Sequence, residues 1–291
     1  MRFLFLFIGL FLSTISWSQI DHPKASPFTK IEQEIGLSKI TLAYSRPAAR
    51  GRTIFGNRAD GQPGLVPYGR IWRVGANEST KITFDSDVFV HEQILPKGTY
   101  ALYAFPEEDE WEIVFHKNLS HWGDGRTAYN PKEDALRIIV KPKSTLSFQE
   151  NFLISFDEIT HDSVKMILHW AGTKINVPLT FDTNALMELQ IAEKLKNTPT
   201  AQTYYEIARY YQEQGIKHQL SLGYLKKAID LGGDTYYFHR VKSLVEAELG
   251  DYRAAIGSAS KSLEIADGLG KDEFVRMNQK NITDWSKKLK P

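Results

Sequence analysis

From about Ile31 to Phe181 the apolar positions of the chain recur with period two. Ile40, Leu42 and Tyr44 alternate with Lys39, Thr41 and Ala43. Trp111, Ile113 and Phe115 alternate with Glu110, Glu112 and His116, interrupted only by Val114, and similar stretches carry Ile154 and Phe156, then Val164, Met166 and Leu168. Successive side chains of a strand point to opposite faces, so this alternation marks strands with one face in a core. Breakers separate the runs at Pro96-Lys97-Gly98, Pro106 to Asp109, Pro142 and Ala171-Gly172. The pattern predicts roughly nine or ten short strands in an antiparallel β-sandwich or barrel.

The period changes at Asp182. Ala185, Leu186, Leu189, Ile191, Ala192 and Leu195 follow helical spacing, Pro199 interrupts it, and Tyr204, Ile207, Ala208 and Tyr211 resume it. Gly215 followed by Leu220, Tyr224 and Ala228 matches Gly250 followed by Ala255, Ala259 and Leu263. The two glycines are 35 residues apart. That interval resembles the tetratricopeptide period of about 34 residues, although the tryptophan and closing proline of that repeat are missing. Two such hairpins and a terminal helix from Lys271 to Lys290 are predicted. Repeats gain their core by stacking, so so short an array is expected to lean on the β part.

A different apolar pattern opens the chain. Arg2 precedes the run Phe3 to Leu12, which is too short to span a bilayer, and Ser16 and Ser18 flank Trp17 as small residues. Residues 1–18 are therefore expected to be a signal peptide, followed by a β domain over 19–182 and a helical tetratricopeptide-like domain over 183–291. The expected location is the periplasm or outside the cell. No later run is long enough for a transmembrane helix, so no membrane span is expected after cleavage. The chain has no cysteine, which removes disulfides, thiolate metal sites and cysteine nucleophiles. A formal charge of +1 gives no excess of positive charge for nucleic acid.

Charge is concentrated locally instead. Between Gly36 and Asn77 seven basic side chains face one acid, Asp60. Arg46, Arg50, Arg52, Arg70 and Arg73 sit among glycines and prolines, which places them on loops. The run Ser45 to Gly56, the run Leu65 to Phe84, Ala25-Ser26-Pro27, Leu95 to Leu102 and Glu110-Trp111 occur in that order. On these motifs, over about Lys24 to Phe181, the chain resembles the exported bacterial domain-of-unknown-function family 2911, found mainly in Bacteroidetes. The resemblance implies location and architecture and brings no assigned activity. Asn57 to Gly64 reads as an insertion relative to that pattern.

Arg46, Arg52, Tyr68, Arg73, Asn77 and Glu78 are the candidate ligand-binding residues. Arginine forks grip carboxylates or phosphates with two parallel bonds, and Asn and Tyr add oriented hydrogen bonds. The alternative is a structural clasp in which Glu78 pairs with one arginine. No metal site is assigned: His116 and His121 are five apart around a turn, with no His-x-His and no His-Glu-x-x-His. Asp85 and Asp87 read as one side of a strand and offer a glycosidase-like pair. Trp122, beside Gly123 and Asp124, is the best candidate for stacking on a sugar, whereas Trp111 belongs to the core. No nucleophile elbow, phosphate loop or dinucleotide fingerprint is present, and no cofactor is expected. The reading is an envelope binding or interaction protein that takes an anionic or carbohydrate small molecule and meets another envelope protein through its helices. The alternative is an envelope hydrolase acting on carbohydrate or cell-wall material.

Overall fold

The computed structural model describes residues 22–121 and 128–289. The signal-like residues 1–18 and Trp122 lie outside them. The chain divides into two compact units between Thr183 and Asn184.

Among its described residues the first unit holds ten strands: β1 (Phe28–Ile35), β2 (Ser38–Ser45), β3 (Thr80–Phe84), β4 (Val88–Val90), β5 (Gln93–Leu95), β6 (Gly98–Pro106), β7 (Trp111–His116), β8 (Asp134–Val140), β9 (Lys143–Asp157) and β10 (Ser163–Phe181). They form two open sheets, ordered β1-β2-β3-β6-β7-β8 and β5-β4-β10-β9. Neither closes into a barrel, which leaves the two-sheet form of the expectation. One apolar cluster takes Ile40, Leu42 and Tyr44 from the first sheet and Phe152, Ile154 and Leu168 from the second. Val114, the residue that broke the alternation of β7, is fully buried on the opposite face with Ala101 and Tyr103. Strands β6 and β7 are thus covered on both sides.

The long passage between β2 and β3 forms only isolated bridges, such as the pair of 2.8 Å backbone bonds between Trp72 and Ala104, and is held by side chains as well. Phe55 and Trp72 enter the core, where Phe55 meets Trp111 edge-on at 4.7 Å and Trp72 meets Phe152 at 5.0 Å. Aromatic pairs of this geometry add stabilisation beyond their buried area. Residues 57–63 close on themselves: Arg58 N–H donates to Gln62 O, and Asn57 bridges Pro63.

The second unit contains helices α1 (Thr183–Lys196), α2 (Ala201–Glu213), α3 (His218–Asp230), α4 (Tyr236–Glu248), α5 (Tyr252–Gly268) and α6 (Asp272–Lys288). Thr200 caps α2 with a reciprocal capping box, and Thr235 and Asp251 cap α4 and α5. Gly215 and Gly250 turn α2 into α3 and α4 into α5 at φ of 66° and 81°. The 35-residue spacing read from the sequence is therefore the spacing of two helical hairpins. Apolar clusters join α1 to α3, α2 to α4 and α4 to α6 within this unit.

Candidate functional site

Strand β9 ends the second sheet, so one row of its backbone groups needs partners other than a neighbouring strand. The chain leaving β2 supplies them. Tyr44 Oη accepts from Ile154 N–H, Pro47 O accepts from Phe152 N–H at 2.8 Å, and Ala49 N–H donates to Glu150 O at 2.8 Å. Arg46 Nε–H donates to Phe152 O at 2.9 Å. Arg46 is thereby part of the seal on an open sheet edge.

Beyond that seal the chain rims a recess of about 280 Å³. Arg50, Arg52 and Arg73 line it, with Trp72 and Trp170 supplying indole surface and Ala25-Ser26 a further wall. No acidic residue is among the described residues that line it. Arg52 is oriented by its own loop, donating from Nε to Ala49 O at 2.9 Å and from Nη2 to Ala48 O at 2.6 Å. Glu150 directs a carboxylate oxygen to the Arg50 backbone N–H at 2.7 Å. Arg73 leads into a turn in which Val74 has φ 51° and Asn77 has φ 63°. A β-branched residue in the left-handed region is costly and persists only where its surroundings impose it. Here Thr80 Oγ1 donates to Val74 O, and Trp72 Nε1 donates to Gly75 O at 3.2 Å.

Asn77 and Glu78 face a second, larger recess of about 660 Å³ on the other side of Ala25-Ser26. Asn77 Nδ2 donates to Ser45 Oγ at 3.1 Å and to Ser26 O at 3.4 Å. Glu78 pairs with Lys81 at 2.7 Å, and that bond holds its carboxyl below the usual range. The structure thus pairs Glu78 with a lysine rather than with an arginine, because the turn at Asn77 sends its side chain away from the arginine recess. Tyr68 lines neither recess. Its ring packs on Gly56, where a Cβ would come within 2.6 Å, and burial pushes its hydroxyl up, with Glu108 next in effect. Of the six residues nominated from sequence, Arg52 and Arg73 share one recess and Asn77 and Glu78 share its neighbour. Arg46 and Tyr68 stand outside both.

Asp85 and Asp87 are not a pair on a strand. Strand β3 stops at Phe84, and the two acids cap separate backbone groups, Lys39 N–H and Lys97 N–H, each at 2.8 Å.

On the outer face of β6 and β7 the structure assembles a cluster that spacing did not reveal. His116, at the end of β7, is fully buried, and its Nδ1 lies 2.8 Å from Asp134 Oδ1. Asp134 also accepts from Tyr129 Oη and from Arg137 Nη2, each at 2.8 Å. His116 Nε2 faces Glu133 Oε2 at 3.3 Å, and His121 Nδ1 lies 3.3 Å from Tyr103 Oη. Glu133 closes a short 3-10 helix, Pro131–Glu133, capped by the Asn130 side chain. The one sequence signal was the pair of histidines. Glu133 and Asp134 lie far beyond them in the chain and arrive only because β8 pairs with β7.

The fold and its recesses define a two-sheet antiparallel β unit with an arginine-lined recess, followed by helical hairpins. A family model described as "Protein of unknown function (DUF2911)" matches residues 26–179, more than half of the chain, and the protein belongs to that family. The match covers nearly the whole β unit and stops before the helices. Neither a curated protein nor a solved structure gives a match.

Proposed function

We propose that this is an exported envelope protein that binds a small anion, a carboxylate or phosphate, in the recess of Arg50, Arg52 and Arg73. The single observation that carries this reading is three arginine residues lining one recess with no acid among its described lining residues. Guanidinium groups match carboxylate and phosphate oxygens bidentately and stay charged at any working pH. Trp72 and Trp170 give the apolar wall that a ligand's carbon skeleton needs, and the volume, just below the usual range of about 300–1,000 Å³, suits a small molecule. The helical unit serves as a docking scaffold for another envelope protein. Among the described residues no helix is long and apolar enough to cross a membrane. The hydrolase reading has less support, since Asp85 and Asp87 are committed to separate turns.

Native mass spectrometry of protein recovered from the envelope fraction tests both halves of the proposal. A mature chain beginning at Gln19 and carrying a displaceable anionic ligand is expected. Thermal shift with phosphate, citrate and a neutral disaccharide then separates the chemistry: the anions raise Tm, and Arg73→Ala removes the rise. A rise with the disaccharide alone, or one unchanged in Arg73→Ala, overturns the recess as an anion site.

A further inference from the structure

We propose that His116, His121 and Glu133 form a binding site for a zinc-type divalent transition metal, with at least one coordination position left open. None of its three ligands lines the arginine recess. One ligand atom from each of the three residues lies within 4.8 Å of the others. Two imidazole nitrogens and a carboxylate oxygen are the donor set of open zinc sites and of related first-row metals.

The tautomer of His116 strengthens the case. Asp134 already receives Tyr129 and Arg137, both of them donors to it. An ionised carboxylate only accepts, so His116 Nδ1 carries the proton of the 2.8 Å bond to Asp134. A carboxylate on one ring nitrogen orients the other toward a metal and raises its basicity. His116 Nε2 is left with its lone pair inward. It is buried and has no hydrogen-bond partner, yet Glu133 Oε2 stands 3.3 Å away. A buried ring nitrogen held against the oxygen of a partly exposed carboxylate calls for a cation between them. That cation is either a metal ion or a proton on Nε2.

The other ligands are supported in the same manner. Asn118 Nδ2 donates to Glu133 Oε2 at 3.3 Å, and Lys117 N–H donates to Glu133 O at 2.9 Å. Tyr103 Oη accepts the Nδ1–H of His121 in the tautomer that frees Nε2. Bonds of roughly 2.0–2.2 Å to a tetrahedral ion place ligand atoms about 3.4 Å apart, a separation that the three groups, within 4.8 Å of one another, reach by small side-chain adjustments. Three protein ligands leave a position for water or for a substrate oxygen, as in catalytic rather than structural zinc sites.

The full mature chain, freed of metal with a chelator, is titrated with ZnCl2 and separately with CoCl2. One equivalent of zinc is expected to bind and to raise Tm, and cobalt is expected to give the visible d–d bands of a site with nitrogen ligands. His121→Ala and Glu133→Gln change partly exposed side chains, which avoids the folding risk of altering His116. Each is expected to weaken zinc binding at least tenfold, and Asp134→Asn roughly 10–100-fold through the orientation of His116. His91→Ala serves as the control that leaves binding unchanged. Absence of saturable zinc and cobalt binding, with His116 protonated on both nitrogens by NMR, makes the cluster an ion pair and overturns the proposal. So does zinc binding that neither His121→Ala nor Glu133→Gln alters.

Discussion

The Tyr44 hydroxyl makes two bonds to one residue across the core: it accepts from Ile154 N–H at 2.9 Å and donates to Ile154 O at 3.3 Å. Tyr44 belongs to β2 of the first sheet and Ile154 to β9, the terminal strand of the second. A single phenol thus replaces the missing strand neighbour at that point and ties the sheets together. Tyr44→Phe keeps the ring packing and leaves a buried N–H and C=O without a partner. The expected loss is about 1–3 kcal/mol, measured by urea denaturation. Stability equal to the parent chain would show that water replaces the phenol.

Arg46 continues the same seal, so its removal should be felt in stability and not in binding. Arg46→Ala is expected to lower stability by about 1 kcal/mol through the lost bond to Phe152 O. The anion-induced thermal shift should remain as in the parent chain. If Arg46→Ala instead abolishes that shift while leaving Tm alone, Arg46 is a ligand residue and the division between seal and recess is misplaced.

Gly36 and Gly51 both have positive φ, 56° and 68°, but differ in their surroundings. A Cβ on Gly36 would lie 2.1 Å from His161 O, whereas one on Gly51 would meet nothing within 4 Å. Gly51→Ala is expected to cost about 1 kcal/mol from backbone conformation alone. Gly36→Ala should cost clearly more, because the β1–β2 turn must move off the segment carrying His161. Equal Tm changes for the two variants would count against the tight approach.

His169 is buried on β10, with its Nε2–H donating to Ser147 O at 3.1 Å, and burial holds its pKa below the ordinary value of about 6.5. The unfolded chain therefore takes up this proton more readily than the folded one. The stability that neutral His169 contributes is complete above about pH 6.5 and declines as pH falls toward the depressed folded value. Denaturation curves at intervals from pH 7.5 to 5 should show that decline, and His169→Gln should flatten part of it. A slope identical in the variant would assign the decline to other groups.

The helical unit contains apolar clusters running from α1 to α6, built from its own residues. By repeat number alone, two hairpins are too few to stand without the β unit. The internal clusters predict that residues 184–291 expressed alone form a monomer with a cooperative helical transition by circular dichroism. A non-cooperative melt or concentration-dependent association would restore the dependence inferred from repeat number.

Local pattern by itself determined the two unlike halves of this protein, because side-chain periods of 2 and 3.6 are properties of adjacent residues. It placed Ile40, Leu42, Tyr44, Trp111 and Leu168 in a core and read the 35-residue hairpin spacing from two glycines. It also placed the arginines on the loops between β2 and β3. What those arginines do was decided by the tertiary structure. Whether Arg46 meets a ligand or Phe152 O depends on where the edge of β9 lies, about a hundred residues later in the chain. Glu78 turned to Lys81 because the positive φ of Asn77 redirects the strand that follows, and no composition rule encodes that turn. The grouping of His116 with His121, Glu133 and Asp134 likewise needed the β7–β8 pairing. Periodicity records which face a residue shows; contacts between distant segments are set by packing of the whole core, which only the folded chain contains.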